Sequence, residues 1–145
     1  MNRSIAAAMV LLALANVAVA DDKEDAGRMV GEAVAAVNKD KAAALAEIGK
    51  PDGRFVMGEV YVFAYDLEGT MLAHPVNPKL VGKNLLGVPD AEGRLFRKAI
   101  IEGVKASGVV RVAYKYKNPK SGVIEDKISL CKKAADVAVC AGYYK

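Results

Sequence analysis

His74 is the only histidine of the chain, and it closes the stretch YVFAYDLEGTMLAHPVNP immediately ahead of Pro75. An imidazole can serve as a general base, a metal ligand, a pocket wall or the end of a strand. The first use requires a nucleophile, and Ser107, Ser121 and Ser129 fall in turn or strand contexts without a nucleophile elbow. The second requires co-ligands, and one histidine with two cysteines matches no familiar metal spacing. The segment LVGKN holds Gly-Lys but lacks the earlier Gly and the Ser/Thr of a phosphate loop. Glu125 and Asp126 are neighbours on one strand, so their carboxylates point to opposite faces. No catalytic residue, metal or cofactor is expected, and His74 remains either a pocket residue or a strand-closing one.

The elements around it follow from periodicity. Ala26, Val30, Ala33, Val34, Val37, Ala44, Leu45 and Ile48 recur at helical spacing, with a break at VNKDKAA where Asp40 can cap a second helix. GEVYVFAYD reads as a strand covered on both faces, DLEG as a turn, and TMLAHP as the returning strand. Asp90 is placed to cap a helix with apolar positions Leu95, Phe96, Ala99, Ile100 and Val104, ended by Gly108. The strands VVRVAYKYK, VIEDKISLCKK and VAVCAGYY complete the chain. Hairpin-like connections predict an antiparallel α+β sheet.

The first residues bear on compartment. Arg3, an apolar run from Ile5 to about Val17 and the small-x-small pattern Ala18-Val19-Ala20 predict an export leader over residues 1–20 and a single domain over 21–145. Loss of Arg3 lowers the formal charge from +4 to +3, an excess too mild and too scattered to suggest nucleic acid. The chain is expected to be periplasmic or secreted, where two cysteines raise the question of a disulfide. If Ala135-Asp136 is a two-residue hairpin loop, Ala134 faces Val137 and Cys131 faces Cys140, in a non-hydrogen-bonded pair where Cα atoms approach most closely. A Cys131–Cys140 bridge fits this register; two small buried thiols are the other reading.

FVMGEVYVFAYDLEGTMLAHPVNPKLVGKNLLGVPDAEGRLF and GVVRVAYKYKNPKSGVIEDKISLCKK, in this order, resemble the single Cache domain. This is the PAS-like extracellular sensing module of bacterial chemoreceptors and sensor kinases, and the resemblance runs from about Lys23 to the C-terminus. It implies a PAS-like five-stranded antiparallel sheet, a long N-terminal helix behind it, and a helix/loop pocket in front for a small organic acid such as acetate, propionate, pyruvate or lactate. It places His74 beside the pocket mouth. It also aligns Tyr114 and Tyr116 with a strand that lends aromatic residues to the pocket wall, and Lys127 with the lysine of a Lys-x-x-Tyr strand. Leu130 stands where that tyrosine would be. Alternation groups Lys127 with Ser129, Cys131 and Lys133, which could equally form a wet face. Arg97 on the pocket-side helix has Arg94 and Lys98 beside it, as a solvated face would, and Tyr65 shares a face with Tyr61 and Phe63, as core would.

The expected function is an exported, sensory-type binding domain for a small carboxylate, without its own transmembrane signalling part, serving a membrane sensor or chemoreceptor. The alternative is a cell-envelope interaction module with a vestigial pocket. An exposed apolar face on the N-terminal helix would invite a homodimer.

Overall fold

The computed structural model describes residues 8–145, with side chains from Asp21 onward; the side chains of the expected leader, residues 1–20, lie outside the described residues. In chain order, the helices Ala8–Lys39 (α1) and Lys41–Ile48 (α2) precede the strands Val56–Met57 (β1), Val60–Asp66 (β2) and Met71–Ala73 (β3). A 3₁₀ turn at Pro78–Leu80 and the helix Phe96–Ser107 (α3) follow, then the strands Val109–Lys117 (β4), Ile124–Ala134 (β5) and Val137–Tyr144 (β6). The strands form an antiparallel sheet in the order β1-β2-β6-β5-β4, with β3 on the same edge of β2 as β1. The five expected strands are all present, and the two-residue β1 adds a sixth.

Strand alternation divides the side chains by chemistry. On β2, Val60, Val62 and Ala64 join Val137, Val139 and Ala141 of β6 in one cluster, packed against Ala26, Met29, Val30, Ala33 and Val37 of α1. Those helix positions recur at three and four residues, the stripe the sequence predicts, and the alanines let α1 lie close to the sheet. The opposite faces carry Tyr61, Phe63 and Tyr65 of β2 and Cys140 of β6, packed with Phe96, Ile100, Ile101 and Val104 of α3. One side of the sheet is thus mainly small and aliphatic, with Phe55 and Tyr143 at its margin, and the other mainly aromatic. The outward positions of α1 include Lys23, Glu24, Arg28 and Glu32, all exposed. Residues 21–39 therefore present no apolar stripe for the homodimer expected through this helix.

Asp40 caps α2 as expected, its Oδ1 accepting the Ala43 N–H at 3.1 Å. Asp90 does not cap α3, which starts six residues later at Phe96 with Leu95 as its first flanking residue. Its Oδ1 instead accepts the N–H groups of Glu92 and Arg94, and its Oδ2 accepts the Lys115 N–H at 2.9 Å. A backbone donor on the open edge of β4 outcompetes the helix end, because that edge otherwise presents an unpaired N–H. Burial raises the Asp90 carboxyl, but the backbone donors of Lys115, Arg94 and Glu92 and the Arg94 side chain outweigh it and hold the group at about 2.

Cys131 and Cys140 are disulfide-bonded across β5 and β6, with Cα atoms 4.1 Å apart. The register is the one the two-residue loop requires, with Ala134 opposite Val137. That loop lacks the glycine usual in such turns, and Ala135 accordingly sits at φ 51°, in the left-handed region. Ala135→Gly should relieve this strain and stabilise the protein by about 0.5–1 kcal/mol, seen as a rise of a few degrees in Tm with the disulfide intact. A lower Tm in that variant would contradict the strained turn.

Candidate functional site

The aromatic side of the sheet encloses a lysine. On β5, Lys127 lies opposite Tyr114 of β4 and Tyr144 of β6, and it is only 1 % exposed. Its Nζ stands 4.0 Å from the centroid of the Tyr61 ring and 5.1–5.2 Å from those of Phe63, Tyr116 and Tyr144. Among the described residues it has no hydrogen-bond partner, and neither has the Tyr61 hydroxyl beside it. Ring faces attract a cation but do not replace its lost hydration. Burial pushes the Lys127 ammonium down to about 7. The wet-face reading of Lys127, Ser129 and Cys131 is therefore corrected: all three are buried, and Lys133 alone of that row is exposed.

Gly142 makes this placement sterically feasible. It pairs with Tyr61 on one side and Ser129 on the other, so a side chain there would project into the same aromatic layer. A Cβ at this position would fall 2.6 Å from Lys127 Cε and 2.9 Å from the Ile128 carbonyl oxygen, and would collide with Ser129 Oγ. The lysine stem thus runs over a gap in β6 to reach Tyr61 on β2.

His74 combines its two expected roles. Its Nδ1 accepts the backbone N–H groups of Val76 and Asn77 at 3.2 and 2.9 Å, which closes β3 and fixes the turn at Pro75. An Nδ1 that accepts cannot carry the ring proton, so the neutral ring holds it on Nε2, which has no acceptor among the described residues. Burial first, then the charges of Lys127 and Arg97, push His74 down to about 3, so it stays neutral at working pH. Its ring centroid lies 5.1 Å from Tyr61, 5.7 Å from Phe63 and 6.4 Å from Tyr116. His74 and Tyr116 also line a cavity of about 250 Å³, together with Val76, Asn77, Lys117 and Pro119. These two rings therefore separate the cavity from the lysine box. A larger groove of about 540 Å³ runs between α3 and the turn after β2, but its Lys98 and Glu102 already pair with each other. It holds neither of the buried, partnerless groups of the lysine box, Lys127 Nζ and the Tyr61 hydroxyl.

The other expected residues gather on the same side. Arg97 is buried rather than solvated, 4 % exposed, and stacks over Phe96 with its guanidinium carbon 4.3 Å from the ring centroid. It donates from Nε to the Tyr65 hydroxyl at 3.3 Å and from Nη1 to the Val88 carbonyl at 3.4 Å. Tyr114 stacks face to face on Phe96 at 4.0 Å, and its hydroxyl shares a 2.8 Å hydrogen bond with Ser129 Oγ. These partners make Tyr65 and Tyr114 walls, whereas Tyr116 fronts the cavity. Burial raises the hydroxyl pKa of Tyr61, Tyr65 (to about 12), Tyr114, Tyr116 and Tyr144. The box accordingly contains donors and a cation, and no side-chain carboxylate.

The family profile described as Single Cache domain 2 matches residues 20–144. The chain belongs to the single Cache domain family. It is 30 % identical to a solved periplasmic sensor domain of a chemotaxis protein, with a TM-score of 0.68, covering 92 % of this chain and 96 % of that one. A methyl-accepting chemotaxis protein from Vibrio parahaemolyticus superposes with a TM-score of 0.72 at 22 % identity, covering 92 % and 95 % of the two chains. A structure described as showing the basis for carboxylic acid recognition by a Cache chemosensory domain gives 0.66 at 20 % identity, covering 97 % and 99 %. No curated protein matches the chain. Cache domains of this kind are extracellular or periplasmic sensing domains. No helix among the described residues is long and apolar enough to cross a membrane.

Within this Cache fold, sequence reading missed Tyr61, Phe63 and Tyr144 as walls of the lysine box, and Gly142 as its gap. The signal was present: Tyr144 and Gly142 share the parity of Cys140, whose partner Cys131 shares the parity of Lys127. Leu130 has the opposite parity, so a hydroxyl there would point away from the box.

Two outcomes follow from the buried amine. Gly142→Ala should cost about 1–3 kcal/mol in chemical denaturation, because the new methyl group overpacks the lysine stem; an unchanged midpoint would refute the close approach. The folded lysine loses its proton near 7 and the unfolded one near 10.4, so between these values the unfolded chain binds more protons and stability rises with pH. The free protein should gain about 2 kcal/mol from pH 7 to pH 9, below the range in which tyrosines of the unfolded chain ionise, and Lys127→Met should abolish most of that rise.

Proposed function

We propose that this Cache domain is a sensory domain for a small monocarboxylate, whose carboxylate pairs with the Lys127 ammonium. One observation carries the reading: a fully buried cation with no acceptor, in a box that contains no anion of its own. A buried charge without a counter-charge is costly, and an entering anion relieves that cost. The Nε2–H of His74 and the hydroxyl of Tyr61 are the next donors in reach of the same ligand. Tyr116, which fronts the cavity and touches the box, is the ring past which the ligand enters. Arg97, Tyr65 and Tyr114 bound the site and hold its aromatic layer in place.

The adjoining cavity of about 250 Å³, separated from Lys127 by the rings of His74 and Tyr116, is of a size to admit acids of two to four carbons, the class of acetate, propionate, pyruvate and lactate. A ligand of about six heavy atoms can gain at most roughly 9 kcal/mol, so micromolar binding is the expected range. The likeness to a Cache chemosensory domain described for carboxylic acid recognition supports the same class. The hydroxyl missing at Leu130 slightly favours the interaction-module alternative, but the parity of that residue turns it away from the box and weakens this argument. A membrane chemoreceptor or sensor pathway remains the natural reader of an occupied domain.

Thermal unfolding at pH 6.5 against millimolar acetate, propionate, pyruvate and lactate tests the proposal. Ligand at about 100 times its Kd should add roughly 2.7 kcal/mol, a shift of several degrees. Lys127→Met should fold, melt higher than the parent at this pH, and lose the response. A flat panel with the parent protein would sink the carboxylate reading.

A further inference from the structure

The lysine box has a property that goes beyond which anion fits it. The rings of Tyr61, Phe63, Tyr116 and Tyr144 surround the amine, and the titratable or charged groups on the same side of the sheet are Tyr65 from β2, His74 after β3, Arg97 from α3 and Tyr114 from β4. Two carboxylates act on Tyr144, those of Glu59 and Glu125; both line a groove on the outer side of that ring, and Glu125 is bound to the Asn118 amide and the Ser121 hydroxyl. Nothing inside the box supplies a negative charge to hold a proton on Lys127 before a ligand arrives. The Lys127 side chain is 1 % exposed, its Cε lying in the space that Gly142 leaves free.

We propose that the monocarboxylate enters this box together with a proton, so that above neutral pH the domain binds the elements of the undissociated acid. The inference rests on the reading of Lys127 as the carboxylate partner. The step is a proton transfer and an ion pairing: a solvent proton adds to the lone pair of the neutral Lys127 amine, and the carboxylate pairs with the resulting ammonium. No bond to carbon forms or breaks, and no electrons are exchanged. The free amine titrates close to neutrality because it is desolvated, and the ligand's charge restores its ordinary basicity. The other groups stay silent over this range. His74 is neutral above about 3, the tyrosines are held protonated, and a guanidinium does not titrate in proteins. Free carboxylic acids with pKa values of about 4–5 are ionised throughout it as well. Lys127 is thus the group through which pH reaches the site.

The biological content is a matter of what the domain counts. A site of fixed charge reports the concentration of the anion alone. A site that gains its charge on binding reports anion weighted by acidity, so the same propionate concentration fills it more fully at pH 7 than at pH 9.

Isothermal titration with sodium acetate, propionate, pyruvate and lactate at pH 6, 7, 8 and 9 tests this, using the disulfide-bonded protein. For an acid that binds, the expected Kd is about fifty-fold weaker at pH 9 than at pH 7, from linkage to one proton with a free-site value near 7. The apparent enthalpy at pH 8.5 should differ between phosphate and Tris by close to the full difference between the ionisation heats of the two buffers, as uptake of one proton requires. Equal affinity from pH 7 to pH 9 with no buffer dependence would overturn the proton coupling and leave the carboxylate site standing. No binding of any of the four acids at pH 6, where the amine is charged, would sink the site and the coupling together. Lys127→Met is expected to bind none of them. If it binds with the same pH dependence as the parent, the proton goes elsewhere and the proposal fails.

Discussion

A cation shut inside a protein with rings for company and no anion is the constraint on which the rest of this structure turns. Four aromatic faces around Lys127 Nζ offset part of its lost hydration. The remainder appears as an amine that titrates near neutrality. The neighbourhood leaves that cost unrelieved: His74 gives its basic nitrogen to two backbone donors, and no side-chain carboxylate enters the box. What the fold withholds from Lys127, a ligand can supply.

The sheet makes this arrangement affordable by dividing its labour. Its mainly aliphatic face, packed against α1, is the kind of interior that contributes stability without specificity. The aromatic face carries the polar groups and the cavity. β6 runs between the two with every residue buried, so small residues decide what can pass beside it. Gly142 is the position where that matters, because it yields its side-chain space to a residue of the neighbouring strand.

Much of this was legible in the sequence where a local rule had no competitor. Asp40 caps α2 because the next available donors are those of the helix itself, and Cys131 faces Cys140 because a two-residue loop fixes the register. The helix stripe of α1, the end of α3 at Gly108 and the termination of β3 at His74 belong to the same class. The failures share one cause, a partner far away in sequence. Asp90 reads as a helix cap until the edge of β4, 25 residues on, competes for it. Arg97 reads as solvated beside Arg94 and Lys98 until Tyr65, 32 residues back, accepts from it. Lys127 could be read as wet from its own strand; its dryness is contributed by Tyr61 and Phe63, more than sixty positions earlier.

The Cys131–Cys140 bridge can be seen in this light as a rung that counts residues. It joins β5 and β6 on the same face as Lys127, and it sets Ser129 against Gly142 and Lys127 against Tyr144. A slip of one residue between these strands would turn the lysine toward the aliphatic face and set a side chain of β6 where the gap is needed. The covalent rung forbids that slip. Oxidation of two thiols therefore does more than add stability: it certifies that the lysine box has been assembled in the only register in which it exists.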